Sequence, residues 1–190
     1  TEIELRYATL PESADGLRIV QIGDLHIGLK IGRHKFLNKV ADKVTSLGGD
    51  IVIDCGDMIS MRYTELDTLA MQTLSRIKAP LGVYTVMGNH DNGIYITDTI
   101  ALPRKENIRL LRERQEAMGW HNITDTTTLL SVGGDTLYLT AIDYPSQIKK
   151  GSHGVTIDGE YSHDFASLPC DAFNIVIAHT PSVWGNILAV

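Results

Sequence analysis

Residues 17–26 read LRIVQIGDLH: an apolar run, then a glycine, then Asp24 and His26 two positions apart. The same pattern returns at residues 51–57 (IVIDCGD) and 81–91 (LGVYTVMGNHD), and in a shorter form at 173–179 (FNIVIAH). Short Ile- and Val-rich runs, each stopped by a turn-forming residue, read as buried strands. Between the first three lie two helical patterns. Residues 33–47 set Phe36, Leu37, Val40, Val44 and Leu47 on one face and stop at Gly48-Gly49. Residues 64–78 do the same with Leu66, Leu69, Ala70, Leu74 and Ile77, ahead of Pro80. Strands alternating with helices argue for a parallel sheet.

The pattern extends outward in both directions. Upstream, residues 3–10 alternate apolar and polar and predict a half-buried strand, followed by a turn over 11–16. Downstream come a charge-rich helix over 104–118 and a hairpin of 127–132 with 136–142 across Gly133-Gly134-Asp135. A loop over 145–162, the strand at 173–178 and a short helix over 183–188 complete the chain. This order predicts an α/β fold with two mixed β-sheets packed as a sandwich and flanked by helices. No repeat or linker divides the chain, so residues 1–190 read as a single domain.

Composition narrows the function classes. With 43% hydrophobic and 21% charged residues the chain is an ordinary globular protein. A net charge of −6 argues against a general nucleic-acid binder, which usually carries a basic surface. Cys55 and Cys170 lie in no CxxC or zinc-type cluster and read as small apolar residues. No segment has the unbroken apolar length of a membrane span, and Thr1-Glu2-Ile3-Glu4 is not a signal-peptide start.

The residues after the strands carry the chemistry. In an open α/β sheet, ligands bind beyond the carboxyl ends of the strands. Side chains two apart in extended chain point to the same side, so Asp24 and His26 can converge on one ion. Asp57, Asn89 and His179 would enter from neighbouring strand ends. Imidazole and carboxylate without thiolate suit Mn, Fe, Zn or Co better than Ca or Cu(I). A carboxylate such as Asp57 can bridge two ions, and a pair about 3.5–4 Å apart can clamp a phosphoryl group and activate water. Singly, each residue has a plainer explanation. An Asp after a strand caps helices or turns, and a lone His on an apolar strand is more often a hydrogen-bonded core residue. Four strand ends carrying ligand-type residues together are hard to obtain from capping alone.

Asp24-Leu25-His26, Gly56-Asp57, Gly88-Asn89-His90-Asp91 and Ala178-His179 stand in that order. In this the chain resembles the calcineurin-like metallophosphoesterases, whose motifs run D-x-H, G-D, G-N-H-[D/E] and a His after a strand. The resemblance runs from about Leu17 to the C-terminus, and two stretches look most like a bacterial, often membrane-anchored, phosphodiesterase-type branch. It implies two divalent metal ions, Mn, Fe or Zn. Asp24 and His26 would hold the first, Asp57 would bridge, and Asn89 and His179 would hold the second. His90 would sit beside the substrate, protonating the leaving oxygen or stabilising the phosphoryl charge, with Asp91 orienting it. The implied reaction is hydrolysis of a phosphate ester or anhydride by a bridging hydroxide. The substrate would be a small phosphorylated molecule or a lipid-linked pyrophosphate. A non-catalytic interaction scaffold on the same fold, or a nuclease, are the alternatives.

The family also carries a G-H-x-H motif that completes both metal spheres, and none follows His179. The resemblance therefore implies a domain that continues beyond Val190. It further implies a cytoplasmic protein or one peripheral to a bacterial membrane, with any anchor outside these residues. Arg62 and Tyr63, shortly after Asp57, are expected to contact substrate. His34, His121, His153 and His163 are expected at the surface, and Lys149-Lys150 in a solvated loop.

Overall fold

The computed structural model describes residues 1–30, 32–96, 102–142, 144, 148–151, 154–157, 168–169 and 171–181. Four strands form the first sheet: β1 (Ile19–Ile22), β2 (Ile51–Asp54), β3 (Val83–Thr85) and β4 (His121–Asn122), in that order. All its pairings are parallel, with Ile22 opposite Asp54 and Asp54 opposite Thr85. The carboxyl ends of β1, β2 and β3 therefore open on one edge.

Three helices cover one face of this sheet. They are α1 (Arg33–Leu47), α2 (Thr68–Leu74) and α3 (Arg104–Ala117). Leu37, Ala41 and Val44 of α1, Ala70 and Leu74 of α2 and Leu111 of α3 meet Val20, Val52 and Val83 in one buried cluster. The predicted stripe of α1 holds at Leu37 and Val44, while Leu47 is exposed. The second helix is shorter than its periodicity suggests. Asp67 accepts from the amide of Ala70 and caps α2 there, and residues 63–65 form a separate 3-10 turn.

The second sheet runs β5 (Thr126–Val132), β6 (Asp135–Ile142) and β9 (Asn174–Ala178). β5 and β6 are antiparallel across a two-residue Gly133-Gly134 turn, and β6 and β9 are parallel, so this sheet is mixed. Its inner face supplies Leu130, Leu137, Leu139, Ala141 and Ile177. They pack on Ile51, Ile53, Tyr84 and Val86 from the far side of the first sheet. The architecture is thus helices, parallel sheet and mixed sheet in layers.

Two predicted elements differ. Residues 3–10 form no strand: Ile3 and Leu5 are exposed, and no neighbouring strand pairs with them among the described residues. The predicted 145–162 loop contains a two-stranded antiparallel ribbon, β7 (Ile148–Gly151) with β8 (Gly154–Ile157). The predicted 183–188 helix, His153, His163 and Cys170 lie outside the described residues. No described helix is long and apolar enough to cross a membrane.

Candidate metal centre

Asp24 follows β1 by two residues, Asp57 follows β2 by three and Asn89 follows β3 by four. His179 follows β9 directly, so the centre draws on both sheets. The loops are stitched by backbone bonds: Asp24 N to Gly56 O at 2.9 Å, and His26 N to Asp57 O at 3.0 Å. Asp24, His26 and Asp57 adopt left-handed backbone, with φ of 52°, 42° and 54°. Such a conformation is uncommon without glycine and clusters at functional sites.

Glycines make the approach close enough. A Cβ on Gly88 would lie 2.1 Å from Asp57 Oδ1, and one on Gly56 would lie 2.5 Å from Gly88 N. Asp57 can therefore sit between the β2 and β3 loops, where its Oδ1 accepts from the amide of His90 at 2.9 Å. Its Oδ2 lies 3.5 Å from His26 Nε2 and 3.6 Å from His179 Nε2. Both distances exceed a direct hydrogen bond. Two overlapping groups of ligand atoms result, His26 with Asp57 and His90, and Asp24 with Asp57 and His179.

The donor set fits divalent ions. His179 Nδ1 lies 2.8 Å from the carbonyl of Cys55, which can only accept, so Nδ1 carries the proton. In a neutral ring, the form that binds metal, Nε2 then presents a lone pair. It faces Asn89 Oδ1 at 2.8 Å, while the amide of Asn89 donates to Tyr95 Oη at 3.1 Å. Two acceptors facing each other at that distance are satisfied by a shared cation. A metal-binding imidazole with its other nitrogen on a carbonyl is the usual arrangement.

His90 Nδ1 bonds to the carbonyl of Ser60 at 2.6 Å. Its ring meets His26 edge to face at 4.6 Å and tilts over Tyr95 at 4.4 Å. The Asp91 carboxylate, expected to orient His90, bonds to backbone amides instead. The Asp91 carboxylate is fully buried and accepts from the amides of Met58 (3.3 Å), Ile59 (3.1 Å) and Gly88 (3.0 Å). It ties the β2 and β3 loops together and leaves the imidazole to Ser60. Burial pushes its carboxyl up to about 6, against those amide bonds and with the charge of Asp57 adding to the rise.

Beneath the loops, burial raises Asp54 well above the ordinary carboxylate range, and the neighbouring Asp91 adds to it. Thr85 Oγ1 donates to Asp54 at 2.9 Å, and Gln115 continues the network to Asn122. Sequence reading missed Asp54, Tyr95, Ser60 and Glu65. Of these, only Asp54 carried a signal, a charged residue inside an apolar run. Arg62 and Tyr63 are bound into the packing of α3. Arg62 Nη1 donates to Leu102 O at 3.2 Å, and the Tyr63 ring lies under Arg114 at 4.5 Å. His34 and His121 are half-buried and exposed respectively, away from the centre.

Comparison with known proteins bears on the family and the fold. The profile of the calcineurin-like phosphoesterase family matches residues 17–187. A transmembrane protein with metallophosphoesterase domain from Danio rerio is 30% identical over 164 residues, covering 83% of this chain and 36% of that protein. A UDP-2,3-diacylglucosamine pyrophosphatase, LpxG, from Chlamydia muridarum is 39% identical over 85 residues, covering 45% of this chain and 26% of that protein. The chain thus spans well under half the length of these relatives, which come from an animal and a bacterium. Among solved structures, the phosphopantetheinyl hydrolase PptH from Mycobacterium tuberculosis superposes with a TM-score of 0.54 at 13% identity, over 91% of this chain and 71% of that one. The likeness to PptH is one of fold.

Proposed function

Because the chain belongs to the calcineurin-like phosphoesterase family, we propose that it hydrolyses phosphate esters or anhydrides at a two-metal centre held by Asp24, His26, Asp57, Asn89 and His179. One observation carries the reading. Asp57 Oδ2 stands 3.5 and 3.6 Å from two imidazole nitrogens that arrive from different sheets, the placement of a bridging carboxylate. Mn, Fe or Zn suits these donors. When bound, two such ions supply an activated water and neutralise charge on the phosphoryl oxygens.

The side chains do the remaining work. Asp57 sets the spacing of the two subsites. Asn89, its amide fixed by Tyr95, offers Oδ1 to the same subsite as His179. His90, anchored through Nδ1–H, leaves Nε2 to take up a proton from solvent and, as imidazolium, to pass it to the leaving oxygen, a role worth about 10²–10⁴-fold. Tyr95 and Leu29 are exposed near these residues and offer apolar surface to the rest of a substrate. A lipid-linked pyrophosphate is therefore the class to test first, given what the Chlamydia relative is named for.

The test is turnover of a chromogenic phosphodiester and of a nucleotide-linked pyrophosphate with Mn²⁺, before and after chelation. Metal-dependent cleavage of either is expected. If a protein extended through the expected Gly-His-x-His segment is loaded with metal by elemental analysis and still cleaves neither, the hydrolase reading is lost and an interaction scaffold takes its place.

A further inference from the structure

Five consecutive backbone amides, those of residues 58–62, all donate to two carboxylates. Asp91 takes Met58 and Ile59. Glu65 takes the other three: Oε2 accepts from Ser60 at 2.6 Å, and Oε1 accepts from Met61 at 2.8 Å and Arg62 at 2.9 Å. Successive amides turned to one side form a concavity that binds anions, and here the protein's own carboxylate fills it.

The Met61 amide has a particular partner on its other side. The peptide unit between Ser60 and Met61 is planar, with N–H and C=O pointing in opposite directions. Its N–H goes to Glu65, and its C=O receives Nδ1 of His90 at 2.6 Å. A carboxylate on the N–H polarises the carbonyl and strengthens it as an acceptor, as expected when hydrogen bonds are chained. Glu65 therefore reaches His90 through one peptide unit. Gly28 leaves the room for this: a Cβ there would lie 2.1 Å from Glu65 Oε2, and Gly28 has no positive φ to demand glycine otherwise.

We propose that Glu65 is the positioning residue for His90, holding it as the Nδ1-protonated tautomer through the Ser60–Met61 peptide. The carboxylate partner that the sequence pattern assigns to Asp91 is supplied by Glu65, from a different loop. The consequence for turnover rests on the hydrolase reading, but the tautomer itself does not.

Two variants test it on the full chain. Glu65→Gln keeps the size and one accepting oxygen but loses the charge. Gly28→Ala leaves Glu65 in place and displaces its carboxylate. Nitrogen-15 NMR of the His90 ring reads the tautomer directly. The Nδ1–H form is expected in the parent and a mixture of forms in both variants. Turnover of a phosphodiester with a poor leaving group should fall roughly tenfold in each, the worth of a hydrogen bond to a charged group. In a His90→Ala background the same changes should cost less than about twofold, since residues acting as a unit are non-additive. Mn²⁺ affinity by calorimetry should stay as in the parent. An unchanged His90 tautomer in both variants overturns the proposal, whatever the turnover. If the tautomer shifts while His90→Ala itself leaves turnover intact, the positioning stands and the acid role of His90 is what fails.

Discussion

The amide of His90 donates to Oδ1 of Asp57 at 2.9 Å, which binds the β3 loop to the carboxylate proposed to bridge the two metal ions. The residue assigned to the leaving group and the one assigned to both ions are thus fixed to each other by backbone. Changes at either can still be separated by what they leave intact.

Asp57→Asn should remove metal loading and activity together. An amide can replace Oδ1 as an acceptor for His90. At the other position it sets a neutral group between His26 and His179 and removes the charge shared by two dications. Losing one partner of a buried charged group costs about 3–5 kcal/mol, so metal affinity should fall by about 10²–10⁴-fold. Elemental analysis after dialysis reads this, and parent-level metal content in the variant would take the bridging role away from Asp57.

His90→Ala should lower turnover while sparing metal content. A general acid is worth about 10²–10⁴-fold, and more for poor leaving groups than for p-nitrophenolate. A leaving-group series therefore reports the role. An equal loss across the series would mean that His90 donates no proton, leaving it at most to stabilise phosphoryl charge.

Gly88→Ala should damage stability and metal binding at once. The new Cβ would meet Asp57 Oδ1 at 2.1 Å and Asp57 N at 2.6 Å, and the second of these is backbone. Overpacking costs about 1–3 kcal/mol, and each kcal/mol lowers Tm by roughly 2–4 °C in a chain of this size. Thermal melts with and without Mn²⁺ check it. A variant with the parent's melting curve and metal affinity would show that the two loops can part.

Asp67 gives stability an acid limb. Burial opposes its ionisation, but the amide of Ala70 and the Arg33 guanidinium outweigh it, and His34 adds to them, so its folded pKa is depressed. An acid with a depressed folded pKa stabilises fully above its unfolded value, about 3.9, and that stabilisation is lost as pH falls through the folded value. Asp67→Asn keeps a capping oxygen without the charge. It should melt below the parent at about pH 5 and converge with it as pH falls through the depressed folded value. Asp67→Ala should lose about 1 kcal/mol of cap as well. A gap between Asp67→Asn and the parent that does not change with pH would mean that the charge contributes nothing.

Much of this layout was legible because it is local. The α1 boundaries at Arg33 and Leu47 follow from periodicity and Gly48, and the 126–142 hairpin follows from Gly133-Gly134 between alternating runs. Asp24, His26, Asp57 and Asn89 come together because parallel strands put their carboxyl ends on one edge, and His179 joins them from the end of β9 in the second sheet. What failed was non-local. Alternation over residues 3–10 sets which way side chains face but supplies no neighbouring strand. The start of α2 depended on Asp67 finding the amide of Ala70. Asp91 and Glu65 show the same limit: adjacency to His90 suggested a partner, while the amides of residues 58–62 decided where each carboxylate went.

The left-handed backbone at Asp24, His26 and Asp57 bears on how this protein would respond to laboratory evolution. Each such residue costs about 1–2 kcal/mol relative to ordinary backbone, less for aspartate, and glycine relieves it. A thermostability screen run without selection for catalysis would therefore be rewarded at these three positions first. Heat-resistant clones would accumulate there as the proposed metal centre was dismantled. Where resilience and chemistry compete for the same residues, any hardened version of this protein has to gain its stability elsewhere, in the helices or the β5–β6 hairpin, and leave these three alone.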